Sequence, residues 1–473
     1  MSAGAEVRPS EHAGWGELLG GGRLPLLALI WLAVWLTASD SLVTTTLMPS
    51  VGAELGGYAW FAWTVAGFML GAILAGASAG QLSERIGLRG ASMLGGVLFA
   101  AGCALSAVAP TMEVFVLGRL LQGVGGGWVS GLAMVAIARL FPPRHLARVF
   151  ASVAGIWGVA TVLGPLIGGM FAQGSGWRIV FWLFAAQAVM FVIAAFWLFD
   201  AQREPAKTGR LPLLQLLLLT CAVLSVGLAD RLGGWAEGGA VALGFVLLGA
   251  TVWADRHAAS RILPLDAARP MSLVGSGYLA MFALTAASMG LSAYGPAILQ
   301  ILRGLTPLAA GYAVASMAAC WTLSAMLVAG TGARGEGLVI RLGAGAILLG
   351  SVILALVMHE AELVRVILGA SVLGLGFGLS SAMMNRRLLA VLPADERTIG
   401  SAALIFVRQT GNAMGAAMAG AAANAAGFGA APSPATASAA GLAVFAAALP
   451  LALVGTIAAF RMTAKGHPAP PGA

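Results

Sequence analysis

Apolar stretches about one bilayer long recur along the whole chain, each closed by charged or turn-forming residues. A hydrocarbon core about 30 Å thick needs about 20 apolar residues of helix, with about 17–25 the working range. Fourteen windows meet that need: 24–48, 60–80, 90–109, 114–137, 149–172, 179–199, 211–229, 238–254, 272–300, 306–330, 337–358, 364–384, 399–424 and 439–460. A backbone in lipid must satisfy its own hydrogen bonds, so the windows are predicted as helices. A barrel would show segments of about ten residues alternating in polarity, and none are present. The seventh and eighth windows are short and lack polar signatures; without them the count falls to twelve and every other orientation stands. The pattern predicts an all-α polytopic membrane protein with 14 spans.

Composition narrows this further. Only 9% of the 473 residues are charged and 59% are hydrophobic, against about 25% charged in a soluble domain. The 66 glycines suit helices that approach closely in lipid. A soluble enzyme, a disordered chain, a collagen and a disulfide-stapled module are all excluded. The net charge of +8 contains no basic run, so nucleic acid is not an expected partner. Instead, 20 of the 26 basic residues fall on one side of the membrane when the N-terminus is placed in the cytoplasm. Arg178, Arg231, Arg303 and Arg365 fall on the other, and Arg119 and Arg408 lie inside windows. That bias predicts a multi-pass protein of the cell membrane, plasma or inner, with both termini cytoplasmic. The first 20 or so residues make a poor signal peptide, and the apolar run after them is too long for one.

The expected organisation is a cytoplasmic tail (1–23), an N-terminal six-helix bundle (24–199), a connecting pair of spans with its linkers (200–270), a C-terminal six-helix bundle (271–460) and a second cytoplasmic tail (461–473). The low-complexity stretch 425–438 is expected to be a mobile outer loop. No GxxxxGK[ST] loop exists, since alanine precedes both Lys207 and Lys465, which excludes ATP hydrolysis by this chain. The five histidines are placed in loops or tails, so neither a metal site nor any cofactor is expected. The glycine clusters GVGGG (123–127) and GLGFG (374–378) read as helix-packing surfaces, and the cysteines Cys103, Cys221 and Cys320 as buried thiols.

An ionisable group inside a span costs at least about 2.5–3.5 kcal/mol, which makes each a functional candidate. Of the 18 acids only Asp40 lies deep in a window. At 1.5 Å per residue it sits about 24 Å above the cytoplasmic start of span 1, and Arg119, entering from outside, about 21–22 Å above the same face. The two are therefore expected to share one internal cavity. Burial opposes ionisation of the carboxylate while a guanidinium favours it, a balance that suits proton coupling; a static ion pair joining two helices is the alternative. Thr44 lies one turn from Asp40, and Gln122 one turn from Arg119. Ser39, Ser41, Thr44, Thr45 and Thr46 form a polar stripe around the acid, and its hydroxyls either meet substrate or bond back to the helix.

Several stretches then fall into one pattern. D-S-L-V-T-T-T-L-M-P (Asp40 to Pro49) places an acid nine residues before a proline. G-Q-L-S-E-R-I-G-L-R (Gly80 to Arg89) falls between spans 2 and 3, R-L-L-Q-G-V-G (Arg119 to Gly125) in span 4, G-P-L-I-G-G (Gly164 to Gly169) in span 5, and R-Q-T-G-N-A-M-G (Arg408 to Gly415) in span 13. Together they resemble the major facilitator superfamily, specifically its fourteen-span drug:proton antiporter branch. The departures are Glu84 in place of an aspartate, Leu88 in place of a basic residue, Ala160 in place of a glycine, and a second bundle with no acid inside its windows.

The resemblance implies two six-helix bundles, joined by two connecting helices, rocking about a central cavity. It assigns proton coupling to Asp40 and Arg119. It makes Gly80, Glu84, Arg85, Gly87 and Arg89 a gating loop whose ion pairs hold the outward-facing state; the alternative is that Arg85 and Arg89 serve only as orientation signals. Gly164, Pro165, Gly168 and Gly169 make span 5 bendable and closely packed. Thr44, Gln122, Tyr294, Gln300 and Arg408 are candidate cavity residues. The expected activity is proton-coupled export of small lipophilic compounds by a monomer working on protons and a small-molecule substrate within the bilayer. Import by proton symport is the alternative. A receptor or scaffold would need an added domain or docking loop, and a membrane enzyme would need clustered acids or histidines; no catalytic residue is assigned.

Overall fold

The computed structural model describes residues 22–76, 78–172, 176–200, 212–328, 331, 333–393 and 396–464. Residues 1–21, 201–211 and 465–473, which hold most of the two expected tails and the first long linker, lie outside the described residues.

Fourteen α-helices run through the described residues. The first six are α1 (Leu24–Leu55), α2 (Trp63–Gly76), α3 (Ala79–Ala107), α4 (Met112–Leu140), α5 (Pro143–Phe171) and α6 (Gly176–Leu198). A pair follows, α7 (Leu213–Gly227) and α8 (Gly234–His257). The last six are α9 (Leu273–Arg303), α10 (Pro307–Val328), α11 (Ala333–Val357), α12 (Leu363–Val391), α13 (Arg397–Ala425) and α14 (Pro434–Ala464). Twelve helical segments are long and apolar enough to cross a membrane. The two outside that set are α7, with only 15 residues, and α13, whose polar run from Arg408 to Asn412 lowers its hydropathy. The short seventh window is thus as weak as its length implied, whereas the eighth passes and the thirteenth does not.

Half of the helices overrun their windows by a turn or more, since the helix continues through the polar interface while hydropathy records only the apolar core. α14 reaches Ala464, inside the segment expected to be tail. α3 begins at Ala79, so the segment from Gly80 to Arg89 is helical where a loop was expected. It is broken only at Gly87, where φ is 80° and ψ 157°, a conformation that glycine alone adopts without strain. The stretch expected to be a mobile loop is short, because α14 starts at Pro434. Its tip is pinned by Phe428, whose N–H donates to the Ala423 carbonyl and whose ring is fully buried.

Helices α1–α6 pack into one bundle and α9–α14 into another. Glycines set the closest approaches: a Cβ on Gly123 would overlap the Phe68 carbonyl, and one on Gly374 the Met317 carbonyl. Both glycine clusters therefore act as packing ridges, as read from the sequence. Two charge arrangements hold the ends. At the end carrying few arginines, Arg178 pairs with Glu54 at 3.0 Å and donates to the carbonyls of Ala107 and Ala109. At the arginine-rich end, Glu336, only 2% exposed, receives Arg386 at 2.6 Å. His145, expected in a loop, is buried in the first turn of α5 within 3.2 Å of Arg23.

The α7–α8 pair is more than a connector. The Trp63 indole donates to the Gly227 carbonyl at 3.1 Å, and Leu216, Leu219, Val223 and Val226 pack with residues of both α2 and α13. Beyond α8 the chain is fastened by Asp255, which accepts from the N–H groups of Ile262 and Leu263, and by Arg261, which pairs with Glu396 at 2.7 Å.

Candidate functional site

The site begins with three helices that close glycine contacts bring together. Gly102 of α3 lies against the backbone of Gln122, and Gly71 of α2 against the Leu120 carbonyl. This presses α4 inward and holds Arg119 and Gln122 opposite Asp40 on α1. Asp40 is completely buried and Arg119 is 2% exposed. A single guanidinium nitrogen, Arg119 Nη1, sits 2.8 Å from Asp40 Oδ1 and 2.9 Å from Oδ2. It is also 2.7 Å from Gln122 Oε1, so its two N–H groups serve three acceptors. The Gln122 amide donates to Asp40 Oδ1 at 2.7 Å, and the Thr44 hydroxyl to the same oxygen at 3.3 Å.

Arg119 is held from behind as well. Its Nε donates to the Thr64 carbonyl at 3.2 Å, and its guanidinium carbon lies 4.6 Å from the centre of the Phe68 ring. The carboxylate is thus saturated with donors in a water-poor interior, where such contacts are strong. A proton added to Asp40 would cancel the charge that holds Arg119 and leave the guanidinium with Gln122, Thr64 and Phe68. The other hydroxyls of the stripe do not join in: Ser39, Thr45 and Thr46 bond back to α1 carbonyls.

The opposite face of α1 meets the glycine-proline motif of α5. A methyl on Gly164 would fall 2.6 Å from Leu42 Cβ, and one on Gly168 2.7 Å from Thr46 Cβ. Gly169 faces Leu308, and Gly311 of α10 would bring a methyl to 2.9 Å from both Pro165 Cβ and Thr46 Oγ1. α1 therefore lies between the charge cluster and the contact of α5 with the other bundle.

Two hydrogen bonds that join the bundles lie toward the arginine-poor end. Tyr312 donates to the Val162 carbonyl, and Asn424 to the Ala59 carbonyl. Tyr294, expected to line a cavity, is instead fully buried there, its ring 5.4 Å from Phe61 and 5.7 Å from Phe428. Sequence reasoning missed this aromatic plug; its one visible signal is a lone phenylalanine in an Ala/Gly/Pro-rich stretch.

These arrangements agree with what the chain resembles. The sequence profile described as Major Facilitator Superfamily matches residues 30–416. The chain belongs to the Major Facilitator Superfamily. It is 29% identical over 439 residues to a probable multidrug-efflux transporter of Mycobacterium tuberculosis, covering 88% of this chain and 91% of that one. It is 23% identical to the multidrug transporter protein MdtP of Bacillus subtilis, covering 85% of this chain and 76% of that one. Among solved structures, the D-xylose-proton symporter matches with a TM-score of 0.64 at 18% identity, over 95% of this chain and 99% of that one. A peptide transporter bound to sulfate matches with a TM-score of 0.69 at 15% identity, over 95% and 97%. At such identities the structural likeness concerns the fold.

The remaining expected residues of this facilitator are spread out. Glu84 and Arg85 form no ion pair among the described residues, and Arg89 lies over the Phe196 ring, 3.7 Å from its centre. The expected gating pairs are thus not made in this conformation. The Gln300 amide nitrogen is buried without a hydrogen-bond partner at the far end of α9. Arg408 of α13 is exposed and, among the described residues, has neither a hydrogen bond nor an ion pair. Among the same residues no group of three His, Cys, Asp or Glu side chains is placed to hold a metal ion.

Proposed function

We propose that this facilitator is a proton-coupled exporter of small lipophilic compounds. It crosses the cell membrane fourteen times, as in the drug:proton antiporter branch, with both termini and the arginine-rich end in the cytoplasm, and works as a monomer. The observation that carries the reading is Asp40, wholly buried in the membrane interior with every contact committed to Arg119, Gln122 and Thr44. Arginine bias supports the orientation, and the relatives named for multidrug efflux support the direction of transport.

On this reading the conformation is closed outside by the Phe61–Tyr294–Phe428 plug. With Asp40 ionised, Arg119 clamps α4 to α1, and α1 in turn presses Thr46 toward Gly311 at the closed outer seam. Protonation of Asp40 releases the clamp, so the energy of the seam depends on whether a proton is bound. That is the differential interaction a proton needs in order to bias an alternating-access equilibrium. Glu84 and Arg85 are then available for ion pairs that form when the cytoplasmic side closes.

The test starts with a toxicity screen of cells expressing the wild type or Asp40→Asn, which names a cargo. Inside-out vesicles energised acid inside should then load that cargo with the wild type and not with Asp40→Asn. Vesicles that expel it under this gradient would instead establish an importer, and loading by Asp40→Asn would remove the coupling role of the acid.

A further inference from the structure

Among the described residues, Arg408 carries a charge deep within a helix that the coupling cluster does not use. Arg408 lies eleven residues into α13, about 16 Å from its arginine-rich end, too deep in a core of about 30 Å to reach the interface readily. Asp40 is the one acid at comparable depth, and it is already covered by Arg119, Gln122 and Thr44. With that pair neutral, the described interior is left with the positive charge of Arg408.

The direction in which Arg408 points follows from what packs around α13. On one side Gly411 and Gly415 fit against Phe282, Thr285 and Ala286 of α9. On the other, Ala413, Met414, Ala416 and Ala417 pack with residues of α2 and α7. The exposed face of Ser401, Ala402, Ile405 and Arg408 lies on α13 between its contacts with α9 of one bundle and its contacts with α2 of the other. This exposure is confined to the arginine-rich half of α13; beyond Ala413 the helix is largely buried. Polar groups stand beside the guanidinium, with the Asn412 amide donating to Gln409 Oε1 at 3.3 Å. Ile405, 49% exposed, offers apolar surface one turn away.

A guanidinium at that depth with no partner among the described residues is costly, and an incoming anion removes that cost. A cation would meet uncompensated positive charge and find no carboxylate oxygen open to it. We propose that Arg408 anchors an anionic group on the cargo, so that the compounds carried are lipophilic weak acids with an apolar body resting near Ile405. The proposal deepens the transport reading above and rests on it for the word cargo. The single acid, which by itself favours neutral or cationic compounds, is removed from substrate selection by its pairing with Arg119.

The test measures equilibrium binding of three pyrene probes to the purified full-length protein in detergent: pyrenebutyrate, its methyl ester and the matching trimethylammonium compound. Wild type should bind the carboxylate at least about tenfold more tightly than either other probe, the scale of one charge-assisted hydrogen bond. Arg408→Lys should keep most of this preference and Arg408→Gln should erase it, both eluting as monodisperse protein. A wild type that ignores probe charge or prefers the ammonium, or a preference that survives Arg408→Gln, overturns the proposal. No gradient is present, so failure of proton coupling would show in the vesicle assay and not here.

Discussion

The two bundles are built on one glycine frame. In α4, Gly118 and Gly125 lie against α3 while Gly123 and Gly127 lie against α2. In α12, Gly369 and Gly376 lie against α11 while Gly374 and Gly378 lie against α10, at the same spacing. Within that frame, Arg119 and Gln122 of α4 correspond to Ala370 and Leu373 of α12. Asp40, nine residues before Pro49, corresponds to Ala287, nine residues before Pro296. Ala370, Leu373 and Ala287 are all buried, so the second bundle fills with methyl groups the places where the first holds an ion pair. The frame therefore closes without the charges. Since buried ion pairs are seldom net stabilising against apolar packing, the charges of the first bundle are best explained by what they do.

That contrast can be broken most sharply by making one bundle copy the other. The triple change Asp40→Ala, Arg119→Ala, Gln122→Leu should leave the thermal midpoint in detergent near or above wild type, because apolar replacement of a buried pair is often neutral or stabilising by about 1–4 kcal/mol. Proton-driven transport should nevertheless fall to background. Unfolding of the triple variant would mean that the pair is structural after all.

Next in size is the single change Arg119→Ala, which leaves Asp40 buried and unpaired and should cost about 3–5 kcal/mol, read as a lowered melting temperature. Gly123→Ala and Gly374→Ala test the shared frame. Each would push a methyl into a neighbouring carbonyl, and each should cost about 1–3 kcal/mol by overpacking, with similar losses in the two bundles. A large difference between them would show that the frames are not equivalent.

The smallest expected effect concerns the arginine-rich ends. Glu336 is buried against Arg386, whereas Glu84 has no ion pair among the described residues. Glu336→Gln should cost about 1–3 kcal/mol. Glu84→Gln should change stability by less than about 0.5 kcal/mol while altering transport rate, if its pairing belongs to the other conformation.

Much of this was legible along the chain, for reasons particular to lipid. The apolar windows marked the helices because a backbone without water must bond to itself. Asp40 and Arg119 could be paired by counting residues, since a helix of fixed rise between two fixed interfaces turns sequence position into depth. Depth does not give direction, and that is where the reading failed. Tyr294 looked like cavity lining at its depth, but contact with Phe61 and Phe428 puts it in the outer plug. His145 looked like a loop residue because hydropathy ends where the interface begins, although its helix does not.

The sequence by itself determined which segments are helical, that the chain belongs in a bilayer, and which few side chains carry charge at depth, because each follows from length and polarity in a slab of known thickness. Only the tertiary structure decided which of those charges meet. Asp40 is saturated by Arg119 while Arg408 has no partner among the described residues, and the α7–α8 pair sits at the seam between α2 and α13. Such facts depend on how each helix is rotated and which glycine face its neighbour finds, and contacts between residues far apart in the chain set both.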